Sequence, residues 1–195
     1  MTSHDVKEAM KKITVLFTFV LILVAVAIVV LLHKPKEPIM PNPRLTPGAI
    51  FPKVTVEQIC TEGYANVLDG GQRNVPASVK KQVFIEYLGT VPRNAGEYEI
   101  DHLISLEIGG CNNIRNLWPE SGLTQPWNSH VKDRLEDRMA ALLRACLKTQ
   151  GHDAATVLLR QFQIEIATNW TNAYVKYVGP APGTTTKAAT PKRRE

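Results

Sequence analysis

The residues best equipped for chemistry lie between Glu97 and Glu136. The first stretch reads E-Y-E-I-D-H-L-I-S-L-E-I-G-G-C-N-N-I-R-N-L-W-P from Glu97 to Pro119, and W-N-S-H-V-K-D-R-L-E follows from Trp127 to Glu136. Asp101 directly before His102 sets a hard oxygen ligand beside an imidazole, so one side chain can hold a cation while the other activates water. A neutral imidazole, with an ordinary pKa of about 6.5, is the side chain best suited to take a proton near neutral pH. An Asn after the Gly109-Gly110 turn can orient that imidazole by hydrogen bonding. A following helix with His130 or Asp133 can complete a cation site, and such oxygen and nitrogen donors suit Mg²⁺, Mn²⁺ or Zn²⁺.

These residues need elements to hold them. Tyr98 and Ile100 alternate and lead into Leu103, Ile104, Leu106 and Ile108, a pattern that predicts one strand bending into a second before Gly109-Gly110. From Pro126 a long amphipathic helix is expected, with Val131, Leu135, Met139 or Leu142, and Cys146 along one stripe and His130, Asp133 and Asp137 on a neighbouring one. A further helix over 154–178 puts Leu158, Phe162, Ile166, Trp170, Tyr174 and Tyr177 on one face, where Trp170 and Tyr174 read as packing residues. Upstream, Val79, Val83, Phe84, Tyr87 and Leu88 recur at helical spacing between Pro76 and Gly89. Val54 to Ile59 reads as a short strand or the start of a helix, and 63–75 as loop. Trp118 and Pro119 read as core and turn.

The ends of the chain are different in kind. After a short segment 1–12, residues 13–32 form a run of 20 uncharged residues. At about 1.5 Å per residue such a helix spans a bilayer core of roughly 30 Å. Its length, and the absence of a small-residue cleavage site, favour a retained signal anchor over a removed signal peptide. Lys7, Lys11 and Lys12 before the run against Lys34 and Lys36 after it lean toward a cytoplasmic N-terminus, with the rest outside. Residues 33–52 carry six prolines (35, 38, 41, 43, 47, 52) and read as an extended linker without a core. Residues 179–195 read as a disordered basic tail. One domain remains, 53–178.

The chain's net charge of +5 comes from its ends. Residues 53–178 hold 13 Lys+Arg and 14 Asp+Glu, so net charge supplies no argument that the domain binds nucleic acid. Any grip on phosphate must come from local groups, for which Arg73, Arg93, Arg115 and Lys132 are candidates. Cys60, Cys111 and Cys146 share no C-x-x-C spacing, which argues against structural zinc. In an exported domain Cys60 and Cys146 could be bridged, with free buried thiols as the alternative.

The run D-H-L-I-x-L-x-x-G-G-x-N-x-I-x-N-L-W-P, from Asp101 to Pro119, resembles the signature of HNH endonucleases in their bacterial exported or membrane-anchored branch. The resemblance extends through most of residues 57–178. It implies an α+β fold: a ββα-metal core with additional packed helices, after the N-terminal transmembrane helix. It implies a metal-dependent endonuclease that hydrolyses phosphodiester bonds in nucleic acid, DNA ahead of RNA, with a divalent cation, Mg²⁺ ahead of Mn²⁺ or Zn²⁺, and no organic cofactor. His102 would be the general base, Asn116 would orient it, and Asp101 would ligate the metal. No standard third motif residue follows, and Asn128, His130 and Asp133 compete as the further ligand. Arg115 and Lys132 would meet the substrate. That gap motivates an alternative, a degenerate fold that binds nucleic acid or a protein without cutting. A toxic module of a secretion system is a third possibility, against which the short spacer and lack of delivery domains count.

Overall fold

The computed structural model describes residues 3–32, 37–67 and 74–184. The chain divides into two units, Met1–Lys36 and Glu37–Glu195. The described residues of the first form a helix, α1 (Ser3–Leu32), which contains the whole run 13–32. Its apolar side chains Val15, Phe17, Phe19 and Leu21 are exposed. Among the described residues, no helix is long and apolar enough to cross a membrane; the side chains of 26–32 are not among those described.

The second unit is α+β. In order it contains α2 (Val56–Cys60), α3 (Tyr64–Val67), α4 (Ala77–Leu88), β1 (Tyr98–His102), β2 (Leu117–Ser121), α5 (Ser129–Gln150) and α6 (His152–Tyr177). α4 begins after Pro76 and ends at Gly89, whose φ of 73° is the left-handed cap the sequence announces. Of residues 54–59, those from Val56 on are helix, because Thr55 and Gln58 form a reciprocal capping box at the start of α2. Part of the expected loop, Tyr64–Val67, is one helical turn. The long helix starts at Ser129, three residues later than expected. Asn128 caps it by accepting from the Val131 amide, and the segment before it turns through a cis Gln125–Pro126 bond. α6 is interrupted at Asn169, whose side-chain oxygen caps the continuing segment through the Asn172 amide.

The two strands pair antiparallel, with Glu99 opposite Glu120, Asp101 opposite Trp118 and His102 opposite Leu117. Residues 103–108 do not form the expected second strand: they leave the sheet and coil into a 3₁₀ turn at Leu106–Ile108, burying Leu103, Ile104, Leu106 and Ile108. The partner strand is L-W-P-E-S, Leu117–Ser121. Pro119, which cannot donate to a ladder, is accommodated because a two-stranded sheet consists only of edge strands. Opposite pairs share a face, so Glu99, Asp101, Trp118 and Glu120 look one way, and Ile100, His102 and Leu117 the other. On the first face Trp118 joins Leu135, Met139, Leu143, Phe162, Ile166 and Trp170 in the main core. On the second, Leu117 meets Val75 and Val83 at α4, with Ile100 against them.

Residues 37–52 do not behave as a free linker. Thr46 is buried and donates to the Leu117 carbonyl, 2.8 Å. Ile39 and Ile50 pack against the main core. The Gly48 amide donates to the Arg115 carbonyl, and Ile50 bridges to Gly110. Prolines fix an extended path without preventing its side chains and remaining amides from being used. The folded unit therefore begins near residue 37. The basic tail beyond 184 and candidate Arg73 lie outside the described residues. Cys60, Cys111 and Cys146 are free thiols, so the expected Cys60–Cys146 bridge is not formed. Both sit in or against the apolar core, where burial pushes the Cys60 thiol up and works against the thiolate that disulfide exchange requires.

Gly110 is where the chain is tightest. A Cβ there would lie 1.8 Å from the Ile104 carbonyl oxygen, and backbone cannot yield as a side chain can. Gly110→Ala is expected to cost about 3 kcal/mol or more, lowering the thermal midpoint by roughly 6–12 °C; calorimetry of the two proteins checks this.

Candidate functional site

β1 delivers Asp101 and His102 to opposite faces of one strand end, and the loop after it closes around them. Asn116 makes that loop rigid. It is fully buried; its side-chain oxygen accepts from the Ile104 amide at 2.9 Å and the Ala49 amide at 3.3 Å, and its nitrogen donates to the Ile104 and Cys111 carbonyls at 2.9 and 3.0 Å. All its hydrogen-bonding capacity is spent on backbone, so it does not orient His102 as expected. That partner is Asn112, whose side-chain oxygen lies 2.6 Å from His102 Nε2. An amide oxygen only accepts, so Nε2 carries the proton and the basic lone pair of the neutral ring is on Nδ1. His102 is buried.

On the other face lies a buried cation. Lys132, from the first turns of α5, is fully buried. Its ammonium donates to Asp101 Oδ2 at 2.6 Å, to the His102 carbonyl at 2.7 Å and to Glu136 Oε1. It cannot meet a substrate from that position, which corrects its expected role. The signal was present in spacing: Lys132, Leu135, Glu136 and Met139 fall at i, i+3, i+4 and i+7, a core-facing stripe with two charges in it.

The surrounding carboxyls are perturbed as such a cation requires. Burial pushes Asp101 up, but the Lys132 ammonium overrides this and holds it below its ordinary value. Burial raises Glu136 to about 7, with Lys132 opposing and the Asp101 charge assisting. Glu120 is 2% exposed, and neither of its oxygens has a hydrogen-bond partner of good geometry. Desolvation, then repulsion from Asp101, pushes it up to about 10 despite Lys132. Its proximity helps to hold Asp101 below its ordinary value. Lys132 is held well above the ordinary amine range: burial opposes its charge, but Asp101 and Glu136 more than compensate. At pH 7 the cluster therefore carries far less negative charge than its composition suggests.

A cleft of about 280 Å³ opens on this arrangement, lined by Val75, Lys80, Glu99, Ile100, Asp101, His102, Ser105, Leu106 and Glu136. Lys80, exposed on α4, is the cation at its wall. Sequence reasoning missed it, since a lysine in the first turn of an amphipathic helix ordinarily reads as solvated surface. Asp101 reaches the cleft, but none of the three residues that compete as the further metal ligand does. Asn128 spends both amide atoms on its helix and loop, accepting from the Val131 amide and donating to the Thr124 carbonyl. His130 is exposed and has its ring beside Gly122. Asp133 is exposed too, and desolvation with the nearby charges of Asp101 and Glu99 raises its pKa. Among the described residues no group of three or more His, Cys, Asp or Glu is arranged to hold a metal ion. Arg115 and Arg93 stay on the surface, outside the cleft.

No protein family, curated protein or solved structure matches the chain.

Glu120 gives a test with a defined sign. Its ordinary value is 4.5 and its folded value about 10. Below the first, both folded and unfolded chains hold the proton; as pH rises toward the second, only the folded chain does, and stability is lost progressively. Glu120→Gln cannot ionise. Its thermal midpoint relative to the natural protein is expected to climb by about 5 °C or more between pH 5 and pH 9, and a constant difference would refute the assignment.

Proposed function

We propose that this chain is an endonuclease of the ββα type that hydrolyses phosphodiester bonds, DNA being the favoured substrate, with His102 as the general base. The observation carrying the reading is the convergence of Asp101 and His102 at the end of β1 on a cleft whose loop fixes the imidazole tautomer through Asn112. The order β1, β2, α5 agrees with the strand, strand, helix core that the sequence resemblance implies.

Water adjacent to Nδ1 would lose its proton to His102 as its oxygen attacks phosphorus. Lys80 would meet a non-bridging phosphate oxygen from the cleft wall, and its charge would offset that developing in the transition state. Protonation of the leaving oxygen falls to solvent or to Glu136, whose raised pKa gives it a protonated fraction near neutrality. None of Asn128, His130 and Asp133 joins Asp101 at the cleft, so the residues present do not fit a metal ion there. A second reading, a nucleic-acid-binding fold that does not cut, draws on Lys132, because an ammonium already occupies the acidic cluster.

The helix α1 is proposed as a single-pass anchor with the domain outside the cytoplasm. The uncharged run 13–32 and the exposed Phe17, Phe19 and Leu21 support that reading.

Nicking of supercoiled plasmid by the full-length chain, in EDTA, Mg²⁺, Mn²⁺ or Zn²⁺, tests the activity. His102→Ala is expected to lose it by about 100-fold or more, and Asn112→Ala to lose part of it while the fold is kept. Cutting by His102→Ala at the natural rate would eliminate the mechanism. A folded natural protein that binds DNA but cuts under none of these conditions would favour the second reading.

A further inference from the structure

The acidic cluster beneath the cleft combines three carboxyls from three elements: Asp101 from β1, Glu120 from β2 and Glu136 from α5. Such a cluster is ordinarily an invitation to a divalent cation, for which hard oxygen donors are the right chemistry. Here the position at its centre is filled by protein. Lys132 Nζ lies 2.6 Å from Asp101 Oδ2 and 2.7 Å from the His102 carbonyl oxygen, and it also bonds Glu136. These three oxygens match the three N–H donors of an ammonium. The Lys132 side chain is 1% exposed, against 25% for Asp101 and 16% for Glu136, so the charge is tucked behind the carboxylates that face the cleft. Glu120 is buried in the same cluster without a partner of good geometry.

We infer that Lys132 is a built-in cation that takes the place of a divalent metal in this cluster, fixing Asp101 at the cleft and leaving the natural protein without a metal site there. The inference rests on the proposed site but not on its catalytic activity. An ammonium brings one charge where a divalent ion brings two. Lys132 touches neither the cleft nor anything bound in it, so its role is positional: it acts through Asp101 and through the backbone carbonyl of His102.

Removing the ammonium while keeping the side-chain volume, as Lys132→Met does, should leave Asp101, Glu136 and the His102 carbonyl around a gap and convert the cluster into a metal site. The probe is Mn²⁺ added to the full-length chain, with binding followed by electron paramagnetic resonance and stability by tryptophan fluorescence on heating. For the natural protein, the thermal midpoint is expected to be the same in EDTA and in millimolar Mn²⁺. For Lys132→Met the midpoint is expected to fall, then to recover by about 5–10 °C as Mn²⁺ saturates the new site at roughly 100 times its Kd. Lys132→Arg, which keeps the charge, should stay indifferent to Mn²⁺.

Saturable Mn²⁺ binding to the natural protein, lost in Asp101→Asn, would overturn the inference. So would a Lys132→Met chain that Mn²⁺ neither stabilises nor refolds. Plasmid nicking is scored separately, so a natural protein that cuts nothing yet is indifferent to Mn²⁺ would defeat the nuclease reading and leave Lys132 as the resident cation.

Discussion

Burying an ammonium costs several kcal/mol unless charge and hydrogen bonds replace the water it loses. Lys132 donates one hydrogen bond to each of three oxygens: the Asp101 carboxylate and the His102 carbonyl at the end of β1, and Glu136 on the next turn of its own helix. The partners come from distant parts of the chain, so the bond set also fixes how α5 lies against the sheet. Once that is settled, the rest has little freedom. Leu135 and Met139 are carried into the core with Trp118, and the Ser129 hydroxyl donates to Glu99 at 3.2 Å. A neutral side chain at 132 could fill the volume, but it could not keep Asp101 ionised beside a second buried carboxyl.

Asn116 does for the loop what Lys132 does for the helix. Its amide ties Ile104 and Cys111 to each other and reaches Ala49 in the N-terminal segment. Gly110 sits inside the same fold of chain, where backbone passes so close that no side chain fits. The imidazole of His102 thus rests on a loop whose shape is decided by a residue that never touches it. Asn112 can then supply a single, well-placed acceptor.

How far the sequence could be read follows from which signals are local. α4, α5 and α6 announce themselves through apolar spacing and terminal residues such as Gly89, because a helix's pattern is complete within its own length. The strand at 98–102 was equally plain. Its partner was hidden, since Leu117–Ser121 contains a proline and a buried glutamate, and the more apolar 103–108 drew attention away from it. The roles of Asn112 and Asn116 could not be separated by spacing, because the 3₁₀ turn at Ile114–Asn116 is what rotates one inward and leaves the other beside the imidazole. Prolines at 38, 41, 43 and 47 suggested a spacer, and only tertiary contacts of Thr46 and Ile50 reveal a structural segment. Lys132 lies on the core-facing stripe of α5, and residue type alone does not distinguish that position from a solvent-facing one.

The tight connection between α5 and α6 bears on the order in which the molecule comes together. One glycine, Gly151, with φ of 86°, joins the two helices, so their mutual contacts form between segments already close along the chain. The bonds from Lys132 to Asp101 and His102 bridge 31 and 30 residues, and closing a loop of that length costs about 3 kcal/mol of chain entropy. Local hairpins that close cheaply form ahead of contacts that close dearly. The helical pair is then a platform onto which the strands dock, and Asp101 meets its ammonium only when they do. A chain released half-folded would present the helices complete and Asp101 still apart from Lys132.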